Sequence, residues 1–146
     1  MVKKKIIDGV QYSIAAIIFK KEKTLMFKRE GKIWERGWEF VKGAMHIGES
    51  EEEGVYREVN EEAGIKVKII GKLPKVYFDY KPFRGGTLKI LGMIYVCEYT
   101  DGEIRLGEPE HTSYKWMNLE EALSKVWIRN GQEMIKNAYT IYKSCA

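Results

Sequence analysis

Glu58, Glu61 and Glu62 stand at i, i+3 and i+4 of one short stretch. On a helix, at about 100° per residue, this spacing spans an arc of roughly 100° and lets three carboxylates converge on one point. Like charges that close repel, and each group would prefer a proton or more distance. A divalent cation removes the conflict, and all-oxygen ligation favours magnesium or manganese over zinc. The surroundings sharpen the anomaly. Seven glutamates lie between Glu49 and Glu62 with one basic residue, Arg57, a local charge of −6 in a chain whose formal total is +4. An ordinary exposed helix mixes Lys with Glu at i, i+4, and this stretch has no lysine. An acidic patch inside an otherwise basic chain points to a cation site facing an anionic substrate.

The elements that must hold these groups can be read from neighbouring signals. Ser50 followed by Glu53 is a capping box, so a helix should start at Glu51. Gly64 supplies its stop, and Val55, Val59 and Ala63 form its buried stripe. Upstream, the apolar run in Tyr12 to Lys20 reads as a strand covered on both faces, Lys21 to Lys23 as a polar turn, and Thr24 to Lys28 as its hairpin partner. Gly31 to Gly37 reads as a loop and Trp38 to Val41 as one short strand entering the acidic stretch. Downstream, strands are expected at Ile65 to Leu73, Lys75 to Tyr80, Leu88 to Tyr99 and Tyr114 to Met117. Lys81 to Thr87 reads as a turn and Asp101-Gly102 as a hairpin-type turn. All three prolines, Pro74, Pro82 and Pro109, are expected in loops. Asn118 with Glu121 and Asn130 with Glu133 look like caps of two further helices, the last burying Met134, Ile135, Ala138, Ile141 and Tyr142. The sum is a mixed α/β (α+β) domain.

Length and composition fit one domain over residues 1–146, with a 45% hydrophobic and 32% charged content typical of globular proteins. Cys97 and Cys145 are too few for a disulfide framework and are not clustered as zinc ligands, so reduced thiols are expected. The apolar run Ile14 to Phe19 is far too short to span a membrane, and no export signal is seen, which makes a cytoplasmic protein the plain reading.

The residues flanking the glutamates identify the pattern. Gly43, five residues, Glu49, seven residues, Arg57-Glu58, apolar Val59, one residue, Glu61-Glu62, one residue, Gly64 and apolar Ile65 resembles the signature of the Nudix hydrolases at every specified position. By average residue usage, a chance match is about one in ten million or rarer. The resemblance implies the Nudix fold, a mixed β-sheet sandwiched between α-helices. It also implies an enzyme that cuts a nucleoside diphosphate from another group through metal-activated water. Carried over by position, Glu58, Glu61 and Glu62 are the ligands of Mg²⁺ or Mn²⁺, with Glu58 or Glu61 as general base. Gly43 offers its carbonyl to the metal, and Arg57 with Glu49 ties loop to helix.

Trp38-Glu39-Phe40-Val41-Lys42 is similar to the Trp-x-Phe-Pro-Lys lead-in of dinucleoside tetraphosphate hydrolases and RNA pyrophosphohydrolases, with Val41 replacing the proline. Glu110-His111, Tyr114, Trp116 and Glu120-Glu121-Ala122 resemble the tail of the tetraphosphate hydrolases, which makes Glu110 a candidate fourth metal carboxylate. A dinucleoside tetraphosphate is therefore the first substrate to expect. (d)NTPs or oxidised nucleotides, ADP-ribose and RNA 5′ ends are the alternatives. Lys42 and Arg29 are candidates for phosphate contact, and Trp34, Tyr77, Tyr80 and Tyr114 for base stacking. His111 is a candidate for orienting a phosphate, whereas His46 reads as a surface residue. A catalytically silent nucleotide-sensing domain would be free to lose its carboxylates, and this chain keeps them all. A nucleic-acid-binding module would rest only on the basic remainder, without a recognised motif.

Overall fold

The computed structural model describes residues 3–31 and 36–145. Its elements run β1 (Ile6–Ile7), β2 (Val10–Lys20), β3 (Lys23–Glu30), β4 (Arg36–Glu39), β5 (Val41–Ala44), α1 (Glu51–Ala63), β6 (Lys66–Lys72), β7 (Val76–Phe83), β8 (Gly86–Asp101), β9 (His111–Met117), α2 (Leu119–Lys125) and α3 (Gly131–Ser144). β2 and β8 form the parallel centre, in register from Val10↔Lys89 to Phe19↔Glu98. The free edge of β2 is shared along its length by β1, β5 and the start of β3. The free edge of β8 is shared by β7 and β6. β3 also carries β4 and β9, so an antiparallel wing projects from the central sheet.

Alternation along β2 separates two apolar layers. Ala15, Ile17 and Phe19 pack toward α2 and α3, meeting Ala122, Ile135 and Ala138. Ile14, Ala16 and Ile18 pack toward α1, meeting Val55, Val59 and Ala63. This is the expected sheet between helices, and the run of apolar residues exists because both faces are covered. Among the described residues no helix is long and apolar enough to cross a membrane.

Both ends of α1 follow the local code. Ser50 accepts from the Glu53 amide at 3.1 Å and Glu53 accepts from the Ser50 amide at 2.9 Å. Gly64 stops the helix at φ 69°, a left-handed conformation that glycine adopts without a Cβ penalty. Three carbonyls of the last turn also accept from a distant segment. The Arg105 amide donates to Ala63 at 2.9 Å, the Gly107 amide to Glu62 at 3.0 Å, and the Arg105 guanidinium to Asn60 at 2.9 Å.

That last contact explains one of several departures from the sequence reading. Asp101-Gly102 does not close a hairpin, because β9 pairs with β3 and not with β8; the intervening segment crosses over to cap α1. Trp38 to Val41 is split between β4 and β5, which leave for different partners, β3 and β2. The turn expected at Lys81 to Thr87 shrinks to Arg84-Gly85. Pro82 thereby lies within β7, a strand paired on one side only by β8, where a missing N–H is tolerated. Asn118 caps α2, accepting from the Glu121 amide at 2.8 Å. Asn130, by contrast, sits in a left-handed conformation and makes no side-chain cap; its amide donates to the Tyr77 carbonyl at 2.9 Å.

Candidate active site

The acidic helix presents its glutamates unequally. Glu58 and Glu62, four apart, face inward at 8% and 3% exposure, next to the Val55/Val59/Ala63 stripe. The Glu61 side chain is 55% exposed and shares one Arg57 nitrogen with Glu58. The three carboxylates therefore do not form a ready-made cage, and among the described residues no group of three acidic, His or Cys side chains is preassembled for a metal. Arg57 stands at the centre of the cluster. Its guanidinium binds Glu49 at 2.6 and 2.9 Å, the Ala44 carbonyl at 3.0 Å, Glu58 at 2.7 Å and Glu61 at 3.2 Å. One cation thus ties the loop before α1 to the helix and draws Glu58 and Glu61 toward itself. The Arg57 hydrogen bond holds the Glu49 carboxyl below its ordinary range.

Glu62 is left without such help. Both of its oxygens are buried with no hydrogen-bond donor among the described residues. Burial first, then the adjacent Glu58, and then Glu108 and Glu39, push its carboxyl well above the usual carboxylate range. A buried oxygen pair without donors, beside a second carboxylate, is a site that a divalent cation would complete. In cation-free buffer, Glu62→Gln is expected to raise the melting temperature, because an unpartnered buried acid becomes a neutral amide of the same shape. Wild type should gain more stability than this variant when Mg²⁺ is added; equal gains, read by thermal melts, would remove Glu62 from the cation site.

Gly43 borders the same place. A methyl group on its α-carbon would overlap the Glu58 carboxylate, so β5 approaches α1 this closely only with glycine there. Gly43→Ala should displace Glu58, cost about 1–3 kcal/mol of stability, and cut turnover far more than the modest unfolding accounts for. Parallel measurement of kcat and Tm separates the two effects.

Alternation turns Lys42 and Ala44 to the opposite face of β5. There a cavity of about 330 Å³ opens, lined by Ser13, Lys42, Gly43, Lys81, Trp127 and Arg129 among others. The Lys42 ammonium stands 5.9 Å from the Trp127 ring centroid. Behind Trp127 lies Glu39, fully buried, which accepts from the Trp127 indole at 2.8 Å, from Arg29 at 2.9 Å and pairs with His111 Nε2 at 2.9 Å. Burial alone would raise the Glu39 carboxyl. The His111 hydrogen bond, the charges of Lys42 and Arg29 and the indole N–H outweigh burial and hold it down to about 2.

The structure sorts the sequence candidates accordingly. Gly43, Glu49, Arg57, Glu58, Glu61 and Glu62 fall together, and Lys42 lines the adjoining cavity. Arg29 is 11% exposed and bound by Glu39 and Glu110, with Glu108 at 3.9 Å, so its guanidinium serves carboxylates of the protein itself. Glu110 is held on Arg29, and Glu108 adds to the negative charge felt by Glu62. His111 is not placed to orient a phosphate: its ring is fully buried, stacked 4.8 Å from Phe27. Tyr77 and Tyr80 line a neighbouring groove, and Tyr114 lines a different cavity with Lys20, Tyr99 and Trp116. Trp34 lies outside the described residues. Sequence reasoning missed Glu39, Glu108, Trp127 and Arg129. Glu39 had a signal, a charged residue wedged between Trp38 and Phe40 on a strand.

Comparison with known proteins agrees with this architecture. The family model for the NUDIX domain matches residues 9–138, and the chain belongs to that family. An RNA pyrophosphohydrolase of Shewanella denitrificans is 32% identical over 76% of this chain and 72% of its own length. An NAD-capped RNA hydrolase of Mannheimia succiniciproducens is 39% identical over 54% of this chain, but the chain spans only 27% of that relative. A solved NUDIX hydrolase from Nitrosomonas europaea superposes with a TM-score of 0.71 over 98% of this chain and 88% of its own, at 17% identity.

Proposed function

We propose that this protein is a Mg²⁺- or Mn²⁺-dependent pyrophosphohydrolase acting in the cytoplasm on nucleotide polyphosphates, with the 5′-polyphosphate end of RNA as its substrate class. The observation that carries the reading is the buried Glu58/Glu62 pair, with donor-free Glu62 oxygens, set behind Gly43 and beside a cavity bearing Lys42 and Arg129. Glu58, Glu61, Glu62 and the Gly43 carbonyl would hold the cation, with Glu108 or Glu110 as a further carboxylate. When bound, the cation supplies charge neutralisation at the pyrophosphate and acidifies water.

The protein's own groups have separate tasks. Arg57 and Glu49 fix the loop against the helix and keep Glu58 and Glu61 within reach of the substrate. A glutamate of this set, Glu58 or Glu61, takes the proton of the attacking water as general base. Lys42 binds polyphosphate oxygens, and Trp127 offers a flat face for the first base. The RNA end is preferred because relatives that share most of their length with this chain are named for it. A dinucleoside tetraphosphate is the second reading, favoured by the Glu110-His111 tail motif.

A panel of 5′-triphosphorylated RNA, dinucleoside tetraphosphate, ADP-ribose, dNTPs and oxidised dGTP, each with and without Mg²⁺, tests the proposal. Products should be identified by mass. Cation-dependent release of pyrophosphate or phosphate from RNA is the expected result, and faster turnover of the dinucleotide would select the second reading. Inactivity on every member would leave a silent nucleotide-binding domain.

A further inference from the structure

A second groove, of about 420 Å³, lies between β7 and α3, lined by Leu73, Val76, Tyr77, Tyr80, Arg129 and Met134 among others. Arg129 lines both this groove and the cavity beside Gly43. Tyr77 and Tyr80 are 37% and 43% exposed, and their rings stack at 6.0 Å and 26°. Strand alternation would not place residues three apart on one face. The β7–β8 register slips by one residue between Tyr77 and Asp79, and this bulge turns both tyrosines outward while Phe78 stays in the core. Asn130 then fixes the backbone beneath them through the Tyr77 carbonyl.

The charges nearest the tyrosine rings are basic, while one acid, Glu133, lines the α3 side of the groove. The Arg129 guanidinium stands 5.1 Å from the Tyr80 centroid and the Lys89 ammonium 5.9 Å from that of Tyr77. Residues 75–90 carry Lys75, Lys81, Arg84 and Lys89 against the single acid Asp79. Flat aromatic faces interleaved with cations are the chemistry that holds single-stranded nucleic acid.

We infer that the Tyr77/Tyr80 groove receives the second nucleotide of a single-stranded RNA whose 5′ nucleotide occupies the cavity beside Trp127, with Arg129 facing the phosphodiester between them. The inference rests on the RNA-end reading above and adds a site to it. The position of Arg129 favours RNA over a dinucleoside polyphosphate. Consecutive RNA bases are joined by one phosphate, which a cation shared by two grooves can meet. In a dinucleoside polyphosphate, the whole phosphate chain between the bases must pass the glutamates.

The test reads a ratio: kcat/KM for a 5′-triphosphorylated dinucleotide divided by kcat/KM for the matching nucleoside triphosphate. Tyr80→Ala should lower this ratio by about 5- to 100-fold, and Tyr80→Phe should preserve it. Arg129→Gln should lower it as well and flatten the salt dependence of oligonucleotide binding by about 0.7 in log–log slope. An unchanged ratio in Tyr80→Ala would overturn the platform while leaving RNA-end hydrolysis intact. A fall seen with dinucleoside tetraphosphate and not with RNA would also overturn it. Should triphosphorylated RNA resist hydrolysis, binding of a 3′-labelled single-stranded oligonucleotide by fluorescence anisotropy decides separately. Weaker binding by Tyr80→Ala would keep the platform and remove the RNA-end reaction, and equal binding would remove the platform.

Discussion

Glu58→Gln should lower cation-dependent turnover by about 10²- to 10⁴-fold, the range spanned by loss of a positioned acid–base group. Glutamine keeps the side-chain volume and can still accept from Arg57, now 2.7 Å from Glu58. It cannot carry charge or accept a proton from water. Because the residue is 8% exposed and abuts Glu62, removing its charge relieves a like-charge contact, so the melting temperature should hold or rise. That combination, activity lost and stability kept, is the signature of a site residue. Glu61→Gln should also lose turnover, and its side chain is exposed enough that the fold will not register the change. Wild-type-like turnover in both variants would overturn the assignment of the acidic helix as the active site.

Glu39→Ala should destabilise the protein by about 3–5 kcal/mol, the cost of leaving buried charges and donors without their partner. For a chain of this size that lowers Tm by roughly 10 °C or more. Two donors lose their partner, the Trp127 indole N–H and His111 Nε2, and the Arg29 guanidinium keeps Glu110 and, at 3.9 Å, Glu108. Glu39→Gln retains part of the bonding and should cost less. The pH dependence gives an independent check. Glu39 has a folded value of about 2, below the ordinary 4.5, so its contribution is fully present above pH 4.5 and is lost as pH falls toward 2. The gap corresponds to about 3 kcal/mol. Wild type should therefore lose stability over this window more steeply than Glu39→Gln, as denaturant unfolding at pH 5, 4 and 3 would show. Parallel curves would mean that the buried carboxylate contributes no ionic stabilisation.

These two residues mark how much was legible in the chain. The α1 helix, its capping box, its Gly64 stop and the inward stripe were readable because each is fixed by contacts within four residues. The glutamate spacing and the Nudix signature were readable for the same reason, and with them the family. Local spacing did not show that Glu58 and Glu62 are buried while the Glu61 side chain stays exposed, with Glu58 and Glu61 both held by Arg57. The crossover after Asp101, the split at Phe40 and the proline within β7 all depend on which strand pairs with which, and turn residues alone do not encode that. Glu39 and Trp127 are 88 positions apart, and Arg29 and Glu110 are 81 apart. Such pairs meet only once β3, β4 and β9 have set their register. The sequence by itself determined the glutamate cluster, its helix and the family. The tertiary structure decided which carboxylates are buried, which basic side chain restrains them and where the neighbouring cavity opens, because those properties belong to the packing of distant strands against one helix.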